Sequence, residues 1–157
     1  MVDIILIIQL FLVSIYKGAR MDYYVKRVYP SNLKQVKFQF IDDEDFGMIN
    51  LCCVNQELYK IKQINDKIIQ KKTIEIYFPL FDYFYIVRFQ SPMGWTLRRL
   101  IKDIEIAGLA AMTYYALINH EDPEMSRSSL GEYALTWSPE QSDIEMIDDK
   151  VYISLQH

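Results

Sequence analysis

The chain has 157 residues, 51% of them hydrophobic and 24% charged, with five Gly and five Pro, a composition that excludes wholesale disorder, collagen-like repeats and low-complexity sequence. Its net charge of −4 is unevenly spread: residues 1–119 carry 15 Lys and Arg against 12 Asp and Glu, whereas residues 120–157 carry 2 against 9. A whole-chain basic footprint for nucleic acid is therefore absent, and the chain is long enough to build one core without disulfide staples.

Ile4 to Tyr16 is almost entirely apolar, yet shorter than the ~20 residues that span a bilayer upright. Asp3 precedes this run, and Lys17 and Arg20 follow it. That order is the reverse of a cleaved secretion signal and suits a signal-anchor with its positive flank in the cytosol. Three readings stand for residues 1–20: a membrane-associated anchor over residues 4–16, a buried first element, or an extension ahead of a start at Met21, where the composition turns mixed. Residues 21–157 are expected to form a single domain.

Beyond Met21, Asp22–Tyr29 is rich in Tyr and Val and ends at Pro30, the pattern of an edge strand. Leu33–Ile41 alternates, with Val36, Phe38 and Phe40 on one side and Gln35, Lys37 and Gln39 on the other, which predicts a half-buried strand. An acidic turn, Asp42 to Asp45, leads to a second apolar run, Met48–Val54. Leu58–Ile64 alternates again, placing Lys60 and Lys62 on one face. Ile68–Phe78 is a further strand, interrupted by Pro79. Phe81–Phe89 is apolar on both sides, as a central strand covered on each face would be.

After the Ser91-Pro92-Met93-Gly94 turn, Thr96 is placed to cap a helix by accepting a backbone N–H. Leu97, Leu100, Ile101, Ile104, Gly108, Ala111, Met112 and Tyr115 follow at three- and four-residue steps, the core stripe of an amphipathic helix over about 96–119. Gly108 and Ala111 permit a close approach to its backbone. Glu121-Asp122-Pro123 stops the helix, Met125–Leu130 reads as a Ser-rich loop, and Glu132–Trp137 as a strand. Asp143–Ile147 and Val151–Leu155, joined at Asp148-Asp149-Lys150, read as a hairpin. The fold class is α+β: a twisted antiparallel sheet packed on one long helix.

The inventory for catalysis is thin. Histidine, the usual base and a frequent metal ligand, occurs only at His120 and His157. No phosphate-binding glycine loop, nucleophile elbow or zinc spacing occurs, so neither a cofactor nor a metal is expected. Cys52 and Cys53 are adjacent, and in a strand they would face opposite ways, one into the core and one out. The acids Asp42, Asp43, Glu44 and Asp45 are oxygen ligands of the kind hard cations take, but four in a turn read first as a solvated tip.

Binding residues are better represented. Lys60, Lys62, Lys67, Lys71 and Lys72, with Tyr59, Tyr77 and Phe78 nearby, form a basic stretch. It suits solubility at a strand edge, a single-stranded nucleic acid, a protein partner or an anionic lipid surface, solubility being the first reading. Arg98 and Arg99 sit in the first turn of the long helix, where cations oppose the helix dipole. Arg99 can pair with Asp103 one turn on, and both arginines are candidates for an acidic partner. Trp95 and Trp137, beside turns, are candidate partner anchors or core residues.

The order Ser91-Pro92-x-Gly94, Thr96-Leu97-x-x-Leu100-Ile101-x-x-Ile104, Gly108, Ala111, Tyr114-Tyr115 and a closing hairpin resembles a group of uncharacterised proteins from mimivirus-like giant DNA viruses, over residues 91–157. The resemblance implies a viral protein of the host cytoplasm or virus factory and carries over no activity. The expected function is a non-catalytic binding protein with a protein partner. A membrane-attached accessory protein and a metal-dependent enzyme using carboxylates are the alternatives.

Overall fold

The computed structural model describes residues 20–155. Among them, α1 (Leu97–Ile118) packs on a six-stranded sheet in the order β1-β6-β5-β11-β10-β2; of two smaller sheets, one runs β3-β8-β9 and the other pairs β4 with β7. The large sheet comprises β1 (Arg20–Lys26), β2 (Lys34–Gln35), β5 (Thr73–Leu80), β6 (Tyr83–Gln90), β10 (Ile144–Ile147) and β11 (Lys150–Ile153). The small sheets use β3 (Gly47–Asn50), β4 (Lys67–Ile69), β7 (Trp95–Thr96), β8 (Ala134–Ser138) and β9 (Gln141–Ser142). The α+β class therefore stands. One pairing departs from the antiparallel expectation: β11 runs parallel to β5, with Val151 opposite Ile76. The whole crossover from β5 through α1 lies between those two strands, and a connection of that length permits a parallel neighbour.

The β5–β6 pair explains the two-sided apolar pattern. Ile74, Ile76 and Phe78 oppose Phe89, Val87 and Tyr85, and all six belong to the core under α1. The reverse face carries a second cluster, in which Tyr77 stacks on Tyr152 at 4.4 Å and Phe84 meets both rings edge-on. On that face Glu75, opposite Arg88, forms an ion pair with it at 3.2 Å. Pro79 does not interrupt β5 as predicted. It pairs with Phe84 inside the strand, because β11 reaches only to Tyr77 and no N–H is needed on that side beyond it.

The helix is capped as the sequence implies, Thr96 Oγ1 accepting from the Arg99 N–H at 3.2 Å. Over 22 residues it is about 33 Å long. Its buried face includes Leu97, Leu100, Ile101, Ile104, Ala107, Ala111 and Met112, each large apolar side chain contributing roughly 1.5–3 kcal/mol on burial. Gly108 marks the close approach: a Cβ there would lie 2.8 Å from both the Phe78 ring and Leu130 Cδ1. At the far end Glu121 N–H bonds Ala116 O at 2.8 Å and His120 N–H bonds Leu117 O at 3.3 Å, with His120 at φ 57°. This is a Schellman termination with histidine in the place glycine usually takes.

Three further expectations are corrected. Leu33–Ile41 buries Val36 and Phe38 as its alternation implies, but only Lys34 and Gln35 join a ladder. Leu58–Ile64 is not a strand; Leu58–Lys60 is a 3-10 turn whose Leu58 enters the core. The Ser-rich stretch is not a loop: Pro123–Met125 forms a 3-10 turn and Ser126–Leu130 a short helix, α2. The apolar run 4–16 lies outside the described residues. Among those described, no helix is long and apolar enough to cross a membrane.

Candidate functional site

The structure does not bring the residues predicted for binding together in one place. Trp95 is fully buried, and its Nε1–H donates to Asp103 Oδ2 at 2.8 Å. Arg99 lies over the Trp95 ring at 5.5 Å. It donates to Ser91 Oγ at 2.8 Å and to Gln90 O at 3.2 Å, and approaches Asp103 at 3.6 Å. Trp95 as a partner anchor is thus corrected: Trp95, Arg99 and Asp103 stitch the start of α1 to the end of β6. Asp103 explains why a cation is tolerated in the first helical turn. Arg98 donates to Asn65 Oδ1 at 3.1 Å across the exposed surface.

The lysines do not form one face. Lys60 pairs with Glu57 at 2.9 Å, and this contact holds its ammonium above the usual lysine range. Lys62 reaches Glu44 at 3.5 Å and lines a shallow groove of about 340 Å³ with Lys34, Lys37 and Asp66. Lys71 and Lys72 stand exposed in the turn between β4 and β5, away from that groove. The acidic tip is local chemistry, with Asp43 Oδ1 accepting from the N–H groups of Asp45 and Phe46 at 2.9 and 3.2 Å. Among the described residues no group of three or more His, Cys, Asp or Glu could hold a metal ion.

Cys52 and Cys53 follow β3 in a turn and are both half-buried, not split between core and solvent. A turn brings neighbouring side chains together where a strand would part them. The thiol of Cys52 is raised first by its hydrogen bond to Cys53 and then by burial.

A cavity of about 270 Å³ opens at the opposite end of the helix. Three elements build it. The C-terminal turns of α1 supply Met112, Tyr115 and Ala116; the β5–β6 hairpin tip supplies Leu80 and Phe81; and the chain through α2 supplies Glu121, Asp122, Met125, Ser126 and Ser129. Glu132 and Tyr133 close the wall, and burial followed by the Glu132 charge holds the Tyr133 phenol above its usual range.

Two features of this cavity break local rules. Phe81 is the first residue of the two-residue loop joining Leu80 to Tyr83, and it sits at φ 57°. That region favours glycine and costs a bulky residue roughly 1–2 kcal/mol. The Phe81 side chain is 65% exposed, its ring 4.9 Å from Tyr115. Ser126 is 3% exposed, and its hydroxyl has no hydrogen-bond partner among the described residues. Glu121, Asp122 and Glu132 have no cationic partner among the described residues.

None of these residues was singled out from sequence as a binding residue. The available signals were the acidic C-terminal quarter and a phenylalanine where a tight hairpin asks for Gly, Asn or Asp. Comparison with known proteins found no matching family model, curated protein or solved structure.

Proposed function

We propose that this is a non-catalytic binding protein that engages another protein through the surface around Phe81. The observation that carries this reading is a strained aromatic residue held out at a hairpin tip, where a glycine would serve the fold better. Backbone strain of this kind collects at functional sites. Ile118 and Met125, 54% and 56% exposed, add apolar surface at the same end of the molecule. Aromatic residues and methionine are enriched in partner interfaces. The giant-virus resemblance adds a setting, the host cytoplasm or virus factory, that this reading accommodates.

The test places a photoreactive benzoylphenylalanine at position 81 of the full chain, and in parallel at Tyr59, which is 70% exposed and lies outside the cavity. Irradiation with host extract is expected to give a discrete protein adduct from position 81 alone. In a pull-down by the otherwise unmodified chain, Phe81→Asn, which tolerates the left-handed backbone, is expected to lose the protein that the position-81 adduct identifies, without lowering Tm. Equal labelling from both positions, or none from position 81, overturns the reading.

A further inference from the structure

We infer that the cavity at the C-terminal end of α1 receives a cationic side chain, a lysine ammonium or an arginine guanidinium, presented by the partner protein. This rests on the docking reading above and adds the chemistry of what is docked. Four independent features of the wall agree on it.

The first is charge. Glu121, Asp122 and Glu132 line the cavity, and among the described residues no lysine or arginine does. The nearest basic residue in sequence, Arg127, reaches instead to Glu105 at 3.5 Å and to Cys52 O at 3.2 Å. The second is the helix end itself. The last turn of a 22-residue helix carries no basic residue, so no charge on its own element offsets the negative end of the helix dipole, though its carbonyls accept neutral N–H groups.

The third is aromatic. The Phe81–Tyr115 pair stands in the wall, and aromatic faces attract ammonium and guanidinium groups. The fourth is the Ser126 hydroxyl. It is buried at the wall, has acceptor capacity, and lacks a hydrogen-bond partner among the described residues. Leu80, Met112 and Ala116 offer apolar surface to the methylenes that carry such a charge.

Size and geometry narrow the occupant. At about 270 Å³ the cavity has room for one long side chain. The carboxylates surround the space without converging, since no group of three among the described residues could chelate a metal. A distributed negative wall fits a bulky organic cation.

The test titrates the full protein with blocked pentapeptides Gly-Ala-X-Ala-Gly in which X is lysine, arginine, norleucine or glutamate. The readout is the methyl resonances of Met112 and Met125. The lysine or arginine peptide is expected to shift both resonances saturably, and the norleucine and glutamate peptides to leave them in place. Ser126→Ala and Glu132→Gln are each expected to weaken binding by about 3–10-fold with Tm unchanged, the size of one hydrogen bond or one partly exposed charge contact.

Equal shifts from the norleucine peptide, or an affinity untouched in Glu121→Gln/Glu132→Gln, overturn the inference. Spermidine displacing the peptide at lower concentration also overturns it, by making a free polyamine the occupant. A position-81 adduct without cationic-peptide binding removes this inference alone and leaves the docking reading standing. Cationic-peptide binding without an adduct removes the docking reading.

Discussion

The two ends of α1 use charge in opposite ways. At its N-terminal end, Arg99 is held by Asp103, Ser91 and Gln90, and Lys62 reaches Glu44 across the groove. These two cations are engaged with the protein itself. At the C-terminal end, the acids of the cavity wall have no ion-pair partner among the described residues, the nearby Arg27 donating instead to Phe81 O at 3.3 Å, and they stand around a space lined by rings and methionines. The sequence drew attention to the first end because its basic residues are clustered and break the dipole rule. The structure shows that a broken rule with a built-in partner is scaffolding, and a broken rule without one marks a place to look for a ligand.

The sharpest way to test this contrast is to damage each end separately. Trp95→Phe removes the donor to the Asp103 carboxylate and leaves a gap in the core. It is expected to cost about 3 kcal/mol in urea unfolding while leaving the cationic-peptide response of the far cavity intact in the folded protein. A cost below about 1 kcal/mol would return Trp95 to the list of partner anchors. Gly108→Val drives a branched side chain against Phe78 and Leu130, and so strains the seat of α2. The expected cost is about 2 kcal/mol. Its signature is a loss of peptide binding at the cavity with the Trp95 environment unchanged by near-ultraviolet circular dichroism.

The smallest effect concerns the other unpartnered oxygen among the described residues. Asp143 is fully buried; its Oδ2 accepts from Thr136 N–H and Oγ1, both at 2.8 Å, and its Oδ1 from nothing. Desolvation raises its pKa, against the lowering by the Thr136 bonds. The folded state therefore holds this proton more tightly than the unfolded chain does. Its contribution to stability falls as pH rises above about 3.9 and levels off past the raised folded value. Asp143→Asn is expected to remove that downward component, read as the difference between the two pH–stability curves. A difference that grows in the opposite direction would mean the carboxylate is stabilised in its charged form. Unlike Ser126, Asp143 lines neither the cavity nor the groove, and it bridges β8 to the start of β10.

Much of the scaffold was legible. Thr96 and the three- and four-residue steps to Met112 define the helix, because a 3.6-residue period and a cap are local signals. The alternation in Leu33–Ile41 correctly separates buried Val36 and Phe38 from exposed Lys37, yet it misreads the hydrogen bonding. Alternation reports which side is wet, and a ladder also needs a neighbour. The same limit produced the false strand at Leu58–Ile64, where a 3-10 turn buries Leu58 and Ile61. Tyr115 was read into the core stripe, but it is half-buried at the cavity. The cavity itself was not legible, because Phe81 and Glu132 meet only through the tertiary fold. His120 in a left-handed terminus carries no sequence mark either, since the residue that usually announces that turn is glycine.

The parallel pairing of β5 with β11 has a consequence for synthesis on the ribosome. The hairpin of β10 and β11 is the joint between β1-β6-β5 on one side and β2 on the other. Until residues 144–153 leave the exit tunnel, β5 keeps an open inner edge and β2 has no strand to bind. The nascent protein therefore carries β1, β5, β6 and the long helix as an unfinished half, prone to sticking to its neighbours, and closes in a late step that joins the far ends of the chain.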